Sequence, residues 1–358
     1  MTCYLFPGQG SQIKGMGENL FDRFPKMTEK ADHILGYSIK ELCLNNQGGR
    51  LHKTQYTQPA LYVVNALSYL QQRQTGPAPH CVAGHSLGEY NALQASGALS
   101  FDDGLKLVKK RGELMSQAPQ GGMAAIIGLT LAEVKQQLAA NNLDTIDIAN
   151  VNAPTQIVIS GSKDHIMGCF KVFEKTGANF IPLNVSGAFH SRYMADARAQ
   201  FITYLDNFTF NDFEFPVIAN VTARPYEKST IQQLLADQIT HSVLWVDSVQ
   251  YMLNQGHAQF KELGVGQVLT TLVDKISSHQ ATPAPTHAIP SPEKLKKRIN
   301  DWNQTYPIGT PVNANGYQES MQTRTPATVL FGHRAAIYLQ GKKGYFALDE
   351  ISPLNEAN

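Results

Sequence analysis

Cysteine is scarce in this 358-residue chain: Cys3, Cys43, Cys81 and Cys169 are all it has. None forms a C-x-x-C pair and no histidine stands at metal-ligand spacing. Neither a disulfide framework nor a metal site is expected, and free thiols fit a reducing cytoplasm. Charge of one sign is missing too. Thirty Lys and Arg face 29 Asp and Glu, a net +1, which gives no reason to expect nucleic acid or an anionic membrane surface as the main partner. No apolar run reaches the roughly 18 residues of a membrane span. Met1–Pro7 lacks the charged start and long apolar core of a signal peptide. What is present is 42% hydrophobic residues, enough for a sizeable core.

Along the chain, a strand at Tyr4–Phe6 runs into the glycine-rich loop Pro7–Gln12. Helical patterns fill most of 15–75, and a further helix starts near Ser100, where Ser100 and Asp103 resemble a capping box. Residues 122–187 change character. Strands at 123–128, 147–151, 156–160 and 180–185, with helices at 131–141 and 165–176, give the order β-α-β-β-α-β of a ferredoxin-like unit. A strand is expected over 215–221. The fold class read from this is α/β: a large α/β-hydrolase-like subdomain (1–121 and 188–280) with an inserted ferredoxin-like small subdomain (122–187). Four prolines in 281–292 mark a linker. It opens a Pro-rich and polar segment, 281–324, followed by a β-like extension, 325–358, of no assigned role.

Gly84-His85-Ser86-Leu87-Gly88 carries the most chemistry. This G-x-S-x-G follows a short apolar strand, 81–83, and precedes a helical stretch that stops at Gly97. A strand, a sharp turn and a helix expose the central serine and aim the N–H groups of the turn at a developing oxyanion. The plainer alternative is a serine capping an ordinary helix. A nucleophilic Ser86 needs a base. His190 continues the apolar stripe Met194, Ala197, Phe201, Leu205 backward by four residues, so its ring faces inward. It is either that base or a core histidine satisfied by a carbonyl. His85 adjoins the serine, but neighbours on a tight turn point apart, so it is a supporting residue. Arg111 shares a helix face with Leu107, Val108, Leu114 and Met115. A buried arginine keeps its charge and must find an anion, either an internal carboxylate or a substrate carboxylate.

Phe6-Pro7-Gly8-Gln9-Gly10-Ser11-Gln12, Gly84–Glu89, Arg111–Met115, Asn152–Gly161, Gly187–Ser191 and Asn220-Val221-Thr222 together resemble the signature set of the malonyl-CoA:acyl carrier protein transacylases. The resemblance covers about residues 3–280. Within that family the chain is most similar to the free-standing acyltransferases of polyketide synthases. The resemblance implies a malonyl ester on Ser86, with His190 as base, and a ping-pong transfer from coenzyme A to a carrier-protein phosphopantetheine thiol. It implies an oxyanion hole from the N–H groups of Gln9 and Leu87, a malonyl carboxylate held by Arg111, and Phe189 excluding branched acyl groups. It implies no cofactor.

Two positions depart from the family pattern. His241-Ser242-Val243-Leu244-Trp245 stands where Asn-Pro-Val-x-Trp is usual, which puts the turn that aims a carbonyl at the base in question and makes His241 a supporting residue. Gly264-Val265 replaces the usual Gly-Pro. An acyl-carrier-protein hydrolase on the same scaffold is the rival reading, and the Arg111 clamp argues against it. A carrier-binding protein without catalysis would lack Ser86 or His190, and a generic esterase leaves Arg111 unexplained. Lys109 and Lys110, beside Arg111, are either a steering patch for an acidic carrier protein or a solvated face.

Overall fold

The computed structural model describes residues 1–279, 292–314, 319–330, 334–342, 346–348 and 351–354. The chain divides into two compact units, 1–281 and 282–358. The first begins with β1 (Thr2–Phe6), whose side chains alternate between two cores. Tyr4 and Phe6 join one, Cys3 and Leu5 the other, as the period of two requires of a sheet covered on both faces. Short helices α1 (Glu18–Phe21), α2 (Pro25–Leu35) and α3 (Ile39–Asn45) lead to the long α4 (Thr54–Thr75). Then β2 (Cys81–Gly84) turns into α5 (Gly88–Ala95), and α6 (Phe101–Gln117) follows. Ser100 caps α6 as the sequence predicts, its hydroxyl accepting from the Asp103 N–H at 3.0 Å.

From Gly121 the chain builds β3 (Gly121–Ile127), α7 (Leu131–Ala140), β4 (Asp147–Ala153), β5 (Gln156–Ser162), the short α8 (Lys163–Gly168) and α9 (Phe170–Glu174), and β6 (Asn179–Pro182). The four strands form one antiparallel sheet in the order β4-β5-β3-β6. The chain then returns through α10 (Ala195–Leu205), β7 (Val217–Ile218), α11 (Ile231–Asp237), α12 (Trp245–Asn254), β8 (Gln259–Glu262) and α13 (Val268–His279). The second sheet is fully parallel, β7-β2-β1-β8. Loops after β1, β2 and β7 therefore emerge at one edge, the carboxyl edge where α/β proteins place ligands.

Three expectations need correction. The strand expected over 215–221 is only two residues long, because beyond Ile218 the backbone turns and the Asn220 N–H donates to Glu89 rather than to a strand. Lys109 and Lys110 are half-buried. Lys109 Nζ donates to the last-turn carbonyl of Ile34 at 3.0 Å, and Lys110 lies over the Tyr204 ring. The segment 292–324, read as a polar connection, holds α14 (Pro292–Thr305), β9 (Pro311–Ala314) and β10 (Met321–Gln322). With β11 (Thr328–Leu330), β12 (Arg334–Ile337), β13 (Phe346–Ala347) and β14 (Ile351–Pro353) they make two three-stranded antiparallel sheets. Leu295, Ile299 and Trp302, spaced four and three apart on α14, face a core of Val312, Ile337 and Leu339. Periodicity at that spacing is the missed signal. The linker stretch 281–291 lies outside the described residues.

All four cysteines are free and buried. Cys3 and Cys81 lie side by side in strand register, and with His257 their ligand atoms fall within 4.8 Å of one another. They sit at the end of β1 and β2 away from Ser86. The hydrogen bond with Cys81, together with burial, pushes the Cys3 thiol far above its ordinary range, so it packs as a protonated core side chain. Among the described residues, no helix is long and apolar enough to cross a membrane.

Candidate active site

Ser86 leaves β2 on a turn so tight that its flanking glycines are obligatory. A Cβ on Gly84 would lie 1.9 Å from the Gly88 backbone, and one on Gly88 would lie 2.0 Å from the Phe6 carbonyl oxygen. Ser86 itself has φ 52° and His190 φ 57°. Non-glycine residues in this left-handed region carry strain that surrounding structure must hold. At Ser86 the holder is Asn220, on the loop after β7. Its Oδ1 accepts the Ser86 N–H at 2.7 Å while its Nδ2 donates to the Gly84 carbonyl at 2.7 Å.

His190 is 5% exposed and brings Nε2 to 2.8 Å from Ser86 Oγ. Its Nδ1 lies 2.7 Å from the Gln238 carbonyl oxygen. A carbonyl can only accept, so Nδ1 carries the proton and Nε2 offers a lone pair to the serine hydroxyl. Burial, and then the charge of Arg111, push the imidazole down to about 3. The ring is therefore neutral and able to take a proton across the ordinary pH range. The His241 backbone also acts on the ring, in the sense opposite to burial. Its own Nδ1–H donates to the Asp237 carbonyl at 2.8 Å. Although the usual proline is absent here, the Ser242 hydroxyl donates to the Ile148 carbonyl on β4 at 2.5 Å. Val243 adds a backbone bridge to the same strand. Hydrogen bonds to β4 thus hold the turn.

Arg111 is 1% exposed. Nη1 donates to Gln58 Oε1 at 2.7 Å, and Nη2 to Gln238 Oε1 at 2.9 Å and to Ser86 Oγ at 3.1 Å. Tyr90 lies beneath the guanidinium, its ring centroid 5.7 Å away. Among the described residues the buried Arg111 Nε–H makes no hydrogen bond and no carboxylate comes within ion-pair distance of the guanidinium, although the Glu89 charge acts on it from farther off. Of the two sequence readings, the internal ion pair is not formed. A desolvated cation held by neutral amides beside a serine hydroxyl is a site for an anionic group.

The other predicted residues divide. Leu87 stands at the head of α5, and the Gln9 loop is carried to the elbow by β1, with the Gln9 amide donating to Thr54 at 3.2 Å. The loop lies close enough that a Cβ on Gly8 would meet the His85 carbonyl oxygen at 2.3 Å. His85 turns away from Ser86. Its Nε2–H donates to Asn152 at 2.7 Å and its ring packs 5.4 Å from Trp245. Phe189 is buried in the core that also holds Tyr90 and Phe201, its ring over Gly187. A cleft at His190 is lined by Asp147, Arg192, Arg198 and His241, with Arg192 paired to Asp147 and Arg198 to Asp237.

Gln58 and Gln238 are the contributors that sequence reasoning missed. Both are almost wholly buried, and Gln238 continues the stripe of Ile231 on α11 by seven residues. An uncharged polar residue on an apolar stripe was the available signal.

A strained elbow serine hydrogen-bonded to a neutral, carbonyl-oriented histidine is the constellation of the serine acyl-transfer enzymes. The chain belongs to the family described as the acyl transferase domain, whose model matches residues 3–300. It is 57% identical, over 79% of its length and 100% of the relative's, to the polyketide biosynthesis malonyl CoA-acyl carrier protein transacylase BaeC of Bacillus velezensis. It is similar to the crystal structure of a malonyl CoA-acyl carrier protein transacylase from Burkholderia pseudomallei, with TM-score 0.76 and 47% identity over 79% of this chain and 99% of that one. A malonyl-transacylase in complex with a type II polyketide synthase acyl-carrier protein matches with TM-score 0.73 and 33% identity, covering 77% of this chain and 93% of that one.

Proposed function

We propose that the protein is a malonyl-CoA:acyl carrier protein S-malonyltransferase of polyketide biosynthesis, acting in the cytoplasm without a cofactor. The observation that carries the reading is Arg111: buried, without a carboxylate at ion-pair distance among the described residues, and 3.1 Å from Ser86 Oγ. An acyl group bearing its own carboxylate supplies the missing anion at the right distance from the nucleophile. A hydrolase that clears neutral acyl groups would bury an unmatched cation for no gain.

Ser86 Oγ attacks the thioester carbonyl while His190 Nε2 takes the hydroxyl proton. The oxyanion forms against the N–H groups of Leu87 and Gln9. Collapse breaks the carbon–sulfur bond, and His190 returns the proton to the departing coenzyme A sulfur, leaving malonyl esterified to Ser86. A phosphopantetheine thiol on the carrier protein then repeats the steps in reverse, and the cleft lined by Arg192, Arg198 and His241 suits its approach to His190. Phe189, next to the base, limits room for an α-branch. His85 and His241 support the turn residues through Asn152 and Asp237.

Intact-protein mass spectrometry tests this directly. Malonyl-CoA is expected to leave a malonyl adduct on the wild type and none on Ser86→Ala, and the adduct should move to a phosphopantetheinylated carrier protein. Absence of an adduct, with pre-acylated carriers losing their acyl groups to water, would establish the hydrolase instead.

The low His190 value sets the pH behaviour. Ser86 acylation by acetyl-CoA, which makes no call on Arg111, is expected to stay level from pH 8 to about 5, because the base protonates only towards about 3. Unfolded histidine titrates at about 6.5, so the folded ring refuses a proton that the unfolded chain accepts. His190 therefore removes stability as pH falls below about 6.5. Thermal unfolding of His190→Gln should lose less stability than the wild type between pH 6.5 and 4. Parallel losses would show that the ring is not held neutral.

A further inference from the structure

Glu89 is a charged residue that the mechanism leaves unused. It lies in the first turn of α5, wholly buried, and pairs with no cation among the described residues. Its Oε1 accepts the Tyr226 O–H at 2.7 Å and the Asn220 N–H at 2.8 Å, and its Oε2 accepts from Gln238 Nε2. Burial pushes the carboxyl up to about 7, so an ionisable group here is costly. Glutamine has the same shape and no such cost. What it lacks is the ionised carboxylate's pair of oxygens, which only accept hydrogen bonds.

That property matters to Gln238, whose side-chain amide touches two parts of the site. Its Oε1 accepts from Arg111 Nη2 at 2.9 Å, while Nε2 donates to the Ser86 carbonyl at 2.8 Å and to Glu89. Turned by 180°, the amide would present N–H groups to the guanidinium and its oxygen to two other oxygens. The Ser86 carbonyl and the Glu89 carboxylate, both acceptors, favour the orientation that gives Arg111 an oxygen. The Gln238 backbone carbonyl, which holds His190, is unaffected by such a turn. Orientation of the arginine and orientation of the base are therefore separable.

We infer that Glu89 is a positioning residue for acyl selectivity: by accepting from Gln238 Nε2 it keeps the Gln238 amide oxygen on Arg111, and so keeps the guanidinium aimed at the acyl group on Ser86. The inference rests on the transferase reading above. Its test is the Glu89→Gln variant, which places a donor where only an acceptor stood. Ser86 acylation by malonyl-CoA and by acetyl-CoA is followed by intact mass after rapid mixing, with thermal unfolding alongside. The ratio of malonyl to acetyl rates is expected to fall about tenfold or more, the loss typical of one hydrogen bond to a charged group. Tyr226→Phe removes a donor from the other carboxylate oxygen and should keep the wild-type ratio. Equal slowing with both donors in Glu89→Gln would overturn the inference and leave Glu89 as support for the elbow. Should that variant fail to fold, Gln238→Met removes the amide and spares the backbone carbonyl. It must show the same fall in ratio, and a wild-type ratio there would overturn the inference equally. Failure of the wild type to take malonyl onto Ser86 is a separate result, which strikes the transferase reading itself.

Discussion

Replacing His190 by alanine is expected to slow malonyl transfer to Ser86 by about four orders of magnitude, as loss of the base does in serine acyl-transfer sites. The geometry offers no substitute. His190 Nε2 is the ring nitrogen at hydrogen-bond distance from Ser86 Oγ, 2.8 Å, whereas His85 is turned to Asn152. The Arg111 guanidinium also faces the hydroxyl, but it can only donate. Single-turnover acylation measures this. A His190→Ala rate within tenfold of the wild type would mean that the proton leaves Ser86 by another route.

Arg111→Ala is expected to lower acylation by malonyl-CoA on the order of 10²- to 10³-fold relative to acetyl-CoA. That range corresponds to about 3–4 kcal/mol, the lower part of the cost of leaving one partner of a buried charge pair alone. Acetyl transfer should survive, since Ser86, His190 and the Gln238 carbonyl are untouched. A second effect follows from the same charge. Arg111 helps to hold the His190 imidazole down, second only to burial. Its removal should let the histidine rise, moving the acid limb of acetyl transfer to higher pH. Equal loss with both acyl donors and an unmoved acid limb would return Arg111 to a purely structural role.

Sequence legibility followed the range of the interactions involved. The Ser86 turn was readable because its physics is local: glycine at 84 and 88 is required by contacts within a few residues and with the neighbouring strand. His190 was readable because a helical stripe extends to it. The extent of β7 and the C-terminal unit were misjudged for one reason. Apolar composition near Phe215 and polar composition near 300 were allowed to outweigh hydrogen-bond demand and periodicity. Gln58 and Gln238 carry no motif that local spacing could expose, and their work exists only where α4, α6 and α11 converge on one guanidinium.

The amino-acid sequence by itself determined the α/β class, the elbow, the candidates Ser86 and His190, and the presence of an arginine needing an anion. Each follows from short-range sterics, periodicity or a charge that cannot be shed. The tertiary structure decided which anion is absent, which carbonyl orients the base, and which way the Gln238 amide faces. Those outcomes depend on donors and acceptors brought together from positions as far apart as Gln58, Glu89, Arg111 and Gln238, and burial makes each unpaired or misdirected hydrogen bond count.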